Sequence, residues 1–537
     1  MFRAASQSAS ASAVSVTSPS DHGHIAGRAA ANEADRVSER ARAPAFLPIV
    51  DLSDGGARAS ANATPSPASE VEDVMRLVYA NSARPELYKD LWAEVAKFSD
   101  RHDHLSLRSV STDMSTWMDK SITSIECEAR EAAETLAAVA NAVNLKHIDS
   151  LQISNCSDAH LPAVIAALAA LPPGLLAAMD VSLVGQRSSW RAFGGVPIEP
   201  LALMQLRGLA PASLRFANVS SASPEMAFML ADLDYPIHFA MSRIGDILPN
   251  ATIEALARIP QLVSLDVTVN SVSDDSARAL GEHRALTTLR FSTPWAIDIS
   301  NAALTALANS TTLRTLHLEG TRHPFGDDVV AALAENRTLE RLILKGISRF
   351  FGESFAVALA ANTTLKTLRL PIMAGAGHFA HMPSLRHLML SGRVNVTDAR
   401  ELAQHANLKS LNCGHVQFED GALAEIAKTT VRKFTLTADI ALDEEVLTDA
   451  AVDAFLGNGK LRSLTCYLPA GPNTDITHAV RLAAHPTLRS LSISYAHPPG
   501  EDGAYRSPAP EPTPAQDALL LAAWGTHRPA DALVVRM

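Results

Sequence analysis

An α/β solenoid is the fold class this sequence predicts, with a parallel sheet on the concave side, helices on the convex side and a small α-helical unit in front. Three observations predict it. The segment L-x-x-L-x-L starts at Leu313, Leu339 and Leu365, a spacing of 26 residues each time. Each segment is followed by a glycine-bearing turn and a short Ala/Leu-rich helical pattern. Another leucine stands six residues before many such segments, with His or Asn midway, as in Leu280-His283-Leu286, Leu333-Asn336-Leu339 and Leu482-His485-Leu488. One strand plus one helix leaves an apolar face that only stacking on a like unit can bury.

Taken in order, residues 1–70 are Ala/Ser-rich and poor in large apolar side chains. Such a segment buries too little surface to offset its ordering entropy, so disorder is expected. It also lacks the apolar run of about 7–15 residues that marks a Sec signal peptide. Residues 71–125 predict a helical unit, opened by a short helix that ends near residue 81. Leu87, Leu91, Val95 and Phe98 share one helical face. The run Ser99 to Asp103 breaks that helix, and Asp103 is placed to cap the next. Leu107, Val110 and Met114 mark the second face. A hairpin of about 35 residues is too small to fold alone, so it must dock on the first repeat or on a partner.

The solenoid is expected over 126–495, with repeats recognisable from about residue 145. The stretch from Ile148 to Ile153 fits the strand pattern. Those from Leu176 to Val181, from Pro211 to Phe216 and around Ile237 and Phe239 fit more loosely. Clear strands follow at Leu262, Leu286, Leu313, Leu339, Leu365, Leu385, Leu408, Val431, Leu461 and Leu488, for about 14 units. A period of about 20–29 residues with this consensus is the signature of a leucine-rich repeat. The uncharged run from Leu161 to Met179 is long enough to suggest a membrane span. Pro162, Pro172 and Pro173 break it, and it fits the repeat phase as helix, turn and strand, so no span is expected. After Ser494 the pattern stops. Residues 496–537 are expected to form a Pro-rich tail with one short helix, from Ala515 to Trp524, covering the end of the array.

The chain has 537 residues, 46 basic and 57 acidic, for a formal charge of −11. That balance argues against a general nucleic-acid binder. Cys127, Cys156, Cys413 and Cys466 stand far apart, with neither disulfide-framework nor zinc-finger spacing, which suggests a reducing compartment. There is no nucleotide loop, HExxH pair or nucleophile elbow, and no metal or cofactor is expected.

The candidate binding residues follow from strand geometry. The leucines of each strand point into the core, and the residues between them point outward. From the repeat at Leu286 to that at Leu385 the outward positions hold Arg290, His317, Glu319, Arg341, Lys345, Arg369 and His387. This predicts a largely basic ledge on an acidic protein, suited to docking an acidic protein segment. The competing reading is an ordinary solvated strand face. A second basic row follows the first leucine of each repeat: Arg314, Lys366, Arg386, Lys409, Arg432, Arg462 and Arg489, with Glu340 the exception. These cations are read as meeting the negative ends of the preceding helices. The recurring His and Asn are read as helix caps, Asn through a left-handed backbone and His through bonds to free carbonyls. Cys413 and Cys466 occupy core strand positions. Cys156, in Cys156-Ser157-Asp158, directly follows a strand, where a small buried residue is expected.

Residues 87–114 resemble an F-box, with matches at Leu87, Asp90, Leu91, Val95, Phe98, Asp103, Leu105, Val110 and Ser111. Tyr88 stands at a usual proline and Ser99 at a usual leucine. An F-box followed by leucine-rich repeats resembles the GALA-type effectors of plant-pathogenic bacteria. The tetrapeptide that names that family stands at Gly421-Ala422-Leu423-Ala424, with a looser echo at Asn301-Ala302-Ala303-Leu304. The first twenty residues, with seven serines and no acid, look like the start of a type III secreted effector. The resemblance implies delivery into a host cell, to cytoplasm or nucleus. It implies recruitment of a host Skp-type adaptor and cullin through Leu87, Tyr88, Leu91, Trp92 and Val95. Ubiquitin would then pass to a host target held by the repeats, with no catalytic residue in this chain. The C-x-D at Cys156 is similar to that of secreted leucine-rich-repeat ubiquitin ligases, but no separate catalytic domain follows the array. The alternative function is an interaction protein that masks a host target without ubiquitination.

Overall fold

The computed structural model describes residues 124–536, apart from 142–147, 158, 186–204, 220–221, 242–246, 294–295, 322–324, 347–350, 439–446, 470–475, 497–513, 526–527 and 530–531. The segment expected to be disordered and the F-box-like unit through residue 123, with Leu87, Tyr88, Leu91, Trp92 and Val95, lie outside the described residues.

Sixteen strands form one sheet in which each pairs with the next along the chain. They are β1 (Ser124–Glu128), β2 (Ser150–Cys156), β3 (Asp180–Gly185), β4 (Ser213–Val219), β5 (Ile237–Met241), β6 (Leu262–Thr268), β7 (Thr288–Ser292) and β8 (Thr315–Glu319). The row continues with β9 (Arg341–Lys345), β10 (Thr367–Ile372), β11 (His387–Val394), β12 (Ser410–Phe418), β13 (Lys433–Ala438), β14 (Ser463–Pro469), β15 (Ser490–Ala496) and β16 (Leu533–Arg536). Pairing is parallel throughout, for example β8 with β9 and β15 with β16. Parallel neighbours need a crossover, here mostly a short helix.

The leucines of successive repeats lie in register. Leu316 pairs with Leu342 and Leu342 with Leu368, and all three are buried. They share one core with helix residues such as Leu307, Leu333 and Leu359. The helices start where the sequence supplies a cap. Ser223, Ser273, Ser300, Asn395 and Thr448 each accept the backbone N–H three residues on through the side chain. Such a bond satisfies one of the N–H groups a helix start leaves free. Close helix packing needs Gly281, where a Cβ would run into the Ala306 carbonyl. Gly421, at φ +79°, opens the helix Ala422–Ala427, so the Gly421-Ala422-Leu423-Ala424 tetrapeptide is a helix start with Ala422 and Leu423 in the core.

Two expectations about the ends of the array are corrected. A strand and helix precede the repeat at residue 148: β1 pairs with β2, and the helix Ala132–Asn141 follows it. The array also continues past Ser494, because β16 pairs with β15 after the helix Pro514–Trp524. That helix buries Leu520 and Trp524. Among the described residues β1 and β16 each have a neighbour on one side only, so their sequences, SIECE and LVVR, need not repeat the consensus. The run from Leu161 to Met179 is the helix Leu161–Ala169, the short helix Pro173–Leu176 and the approach to β3. Among the described residues no helix is long and apolar enough to cross a membrane.

The midway histidines bond carbonyls as expected, but those of the preceding repeat, and Asn336 does not adopt the left-handed backbone expected of it. Asn336 has φ −61° and ψ 130°, not a left-handed backbone. Its buried amide donates to the Ala308 and Ser310 carbonyls of the preceding repeat at 2.7 and 2.9 Å. Its oxygen accepts from the Thr338 and Leu339 amides at 2.8 and 2.7 Å. Asn362 makes the same four contacts one repeat later. The histidines reach back in the same way. His283, His405 and His485 meet the carbonyls of Ile259, Met382 and Phe455 through Nε2 at 2.8, 3.1 and 2.9 Å. On the other side of each ring, Nδ1 accepts a backbone N–H from Leu286, Asn407 or Thr487. A ring that donates at Nε2 and accepts at Nδ1 is neutral imidazole. These residues tie repeat to repeat; they do not end helices by backbone strain.

Candidate functional site

The open face of the sheet is built by register. One residue per strand falls in a single row: Asp266, Arg290, His317, Ile343, Arg369 and Met389. Parallel strands lie about 4.8 Å apart, so these are near neighbours. Arg341, Thr367 and His387 form the row on one side. Glu319 and Lys345 pair on the other. All the predicted ledge residues are therefore brought together.

Their charges are not the uniform basic set the sequence suggested. Arg290 sits 3.5 Å from Asp266 and 3.5 Å from Glu319. Lys345 donates to Glu319 at 2.6 Å. Burial alone would raise the Glu319 pKa, but the Lys345 contact and nearby His317 and Arg290 bring it below the usual carboxylate range. His317 is pushed down to about 4, first by burial and then by Arg290, against the opposing pull of Glu319. His387 is lowered by burial and by Lys409 and Arg341. Both imidazoles are thus neutral at pH 7, which removes them from the charge count. Of the ledge cations, Arg341 and Arg369 are left without an ion pair among the described residues; burial lowers the Arg369 pKa, against the longer-range pull of Glu319. Arg341 is exposed and Arg369 half-buried.

The site also holds polar atoms with no hydrogen-bond partner. Arg290 Nε and His317 Nε2 are buried and unpartnered. Their nearest carboxylates, at 3.5 and 3.9 Å, are close enough for attraction but do not make hydrogen bonds. Next to them lie Ile343 and Met389, which the charge-based reading passed over although they occupy the same outward strand position. The face thus offers two guanidiniums without ion pairs beside aliphatic side chains. It can clamp a carboxylate and pack an apolar neighbour, and it presents no nucleophile.

The second basic row is not explained by helix ends. The helix Val396–Ala403 stops six residues before Lys409, and Asp449–Leu456 stops six before Arg462. The dipole effect fades beyond the last turn. Instead, Arg386 and Arg462 donate to the Asn407 and Thr487 carbonyls of the next repeat, at 3.3 and 2.9 Å.

The thiols are core groups. Cys413 and Cys466 are fully buried, and burial pushes both up to about 12. Cys156 is also raised to about 12, by burial first, and its Sγ lies 3.3 Å from the Ile153 carbonyl. A thiol held so high is a poor nucleophile at neutral pH. Asp158 lies outside the described residues. Among the described residues no group of three or more His, Cys, Asp or Glu side chains is placed to hold a metal ion.

No protein-family model matches the chain, and no curated protein matches it. Among solved structures, a leucine-rich-repeat protein of Leptospira interrogans is similar over 66% of this chain and 87% of its own, at 13% identity and a TM-score of 0.34. The strand order, the parallel register and the stacked leucines carry the fold assignment: the chain forms a leucine-rich-repeat α/β solenoid.

Proposed function

We propose that this protein is a non-catalytic recognition subunit. It holds an acidic segment of a target protein on the open face of the sheet, around Arg341 and Arg369. Through the F-box-like residues 87–114 it brings that target to a host SCF-type ubiquitin ligase, as the resemblance to GALA-type effectors implies. On this reading it is secreted by a type III system and acts in the host cytoplasm or nucleus, with a Skp-type adaptor and cullin as partners. The observation that carries the docking reading is the pair of guanidiniums without ion pairs, set beside Ile343 and Met389. Arginine binds carboxylates in a bidentate fork, and the aliphatic neighbours exclude water from the contact. The high thiol of Cys156 supports the absence of a covalent ubiquitin relay.

The test has two arms. Charge reversal, Arg341→Glu with Arg369→Glu, should weaken target capture from host extract and leave the melting temperature nearly unchanged. Separately, the Leu87→Ala/Tyr88→Ala variant should lose a Skp-type adaptor that wild type retains. Equal capture by the charge-reversed variant returns the ledge to a solvated face. Failure of wild type to retain adaptor removes the ligase role and leaves target masking in its place.

A further inference from the structure

A second basic feature lies at the edge of the sheet where strands β11 to β15 begin. Arg386, Lys409, Arg432, Arg462 and Arg489 each stand one residue before their strand. They are linked directly: the backbone N–H of Lys409 donates to the Arg386 carbonyl, Arg432 to Lys409, Arg462 to Arg432 and Arg489 to Arg462. The row therefore runs straight across five adjacent strands. At about 4.8 Å per strand it is about 19 Å long.

The same column is neutralised further up the array. There Glu340 stands between Arg314 and Lys366 and pairs with both, at 2.9 and 2.8 Å. From Arg386 onward no acid enters the column. The loops that lead into it, 383–386, 404–409, 428–432, 457–462 and 484–489, contain no Asp or Glu. Among the described residues, none of the five cations has an ion pair. Arg386 and Arg462 each use one N–H on a neutral carbonyl, which leaves the charge uncompensated. Like charges on neighbouring strands destabilise the sheet. In a chain of net charge −11, five adjacent cations with no counter-charge among the described residues form a local positive row that an outside anion would offset.

We infer that this row is a docking site for an acidic α-helix of a partner protein, laid across the starts of β11 to β15. Carboxylates at i and i+3 or i+4 on a helix lie about 5–6 Å apart, close to the strand spacing. A row of about 19 Å matches about 13 helical residues at 1.5 Å per residue. An extended acidic peptide places same-face side chains about 6.6 Å apart and falls out of step with the strands. A nucleic acid longer than the row would carry its further phosphates onto the acidic remainder of the chain, whereas a helix of that length ends with the row. The row meets the ledge at β11, where Lys409 acts on His387, but Arg341 and Arg369 lie on β9 and β10, before the row begins, and the inference does not depend on the ligase reading.

The test uses the full chain and fluorescence anisotropy at about 0.05 M salt, where exposed charges are weakly screened. The probe is a fluorescein-labelled, Ala-rich peptide of about 15 residues with Glu along one helical face. A second peptide has the same Glu count scattered around the helix, and an oligo-dT carries the same charge. The striped peptide should bind, and Arg432→Glu/Arg462→Glu should weaken it by about tenfold. Arg341→Glu/Arg369→Glu should leave that binding in place. Lys409→Ser/Arg432→Ser should also weaken it, and covers the case in which charge reversal disturbs folding. The inference is overturned by equal affinity for the scattered peptide, by tighter binding of the oligonucleotide, or by loss of binding only in the Arg341/Arg369 variant.

Discussion

Asn362→Ala tests whether the buried polar residues link the repeats. The Asn362 side chain is 1% exposed. Its amide donates to Leu333 and Asn336 carbonyls at 2.8 and 2.9 Å, and its oxygen accepts from Thr364 and Leu365 amides at 2.9 and 2.9 Å. Alanine removes all four bonds and leaves their backbone partners in the interior. At about 1 kcal/mol per net hydrogen bond the loss is about 4 kcal/mol. A histidine at this position can donate once and accept at Nδ1, as His405 and His485 do. Asn362→His should therefore lose less than Asn362→Ala, despite its greater size. Repeat arrays can unfold in parts, so the assay combines urea denaturation with amide hydrogen exchange. Protection of the Leu365 amide should fall in the alanine variant before protection in distant repeats does. A stability change under about 1 kcal/mol, or unchanged exchange at Leu365, refutes the ladder argument.

Acidification should loosen the same ladder. Burial holds His405 and His485 below the ordinary imidazole value, against the pull of the carbonyl each ring faces. The unfolded chain, with histidine near 6.5, then binds more protons than the folded one at lower pH. Stability is full above about pH 6.5 and is lost as pH falls below it, and a melting series across that range should be flatter in His405→Asn/His485→Asn. Leu342→Ala, at a fully buried position, should cost about 2–5 kcal/mol by denaturant titration. Gly281→Ala should cost about 1–3 kcal/mol by the same measurement, because the new methyl meets the Ala306 carbonyl.

The stacking of Leu316, Leu342 and Leu368 was legible because a strand has a period of two and one buried face, so the consensus leaves a single register. Thirteen of the fourteen interior strands could be read for that reason; β3 was expected from Leu176 to Val181 but is Asp180–Gly185, because Leu176 ends a helix and Val181 and Leu183 take the inward positions beside Leu151 and Ile153. β1 and β16 could not be read, since each pairs with one neighbour among the described residues. The polar ladder was half legible. The recurrence of His283, Asn336, Asn362, His405 and His485 was plain, but its meaning depends on which carbonyls the preceding repeat leaves open. Asn336 reaches Ala308 and Ser310 across 28 and 26 residues. A local rule about helix ends cannot supply such a partner.

Charge was the least legible property, and the cause lies in the same periodicity that made the fold readable. Every outward position of the repeat becomes a row in space, so a residue's neighbours are a repeat away in sequence. Arg290 looks like a free cation until Asp266 and Glu319 are set on the adjacent strands. Arg386 looks like a helix-end cation until its column is followed through Lys409, Arg432, Arg462 and Arg489 without an acid. Read residue by residue, the ledge is strongly basic and the strand-start row is explained by helix dipoles. Read column by column, the ledge keeps two cations without ion pairs, Arg341 and Arg369, and the strand-start row keeps five. The column is the physically relevant unit, because neighbours about 4.8 Å apart determine both the repulsion and what an incoming anion meets.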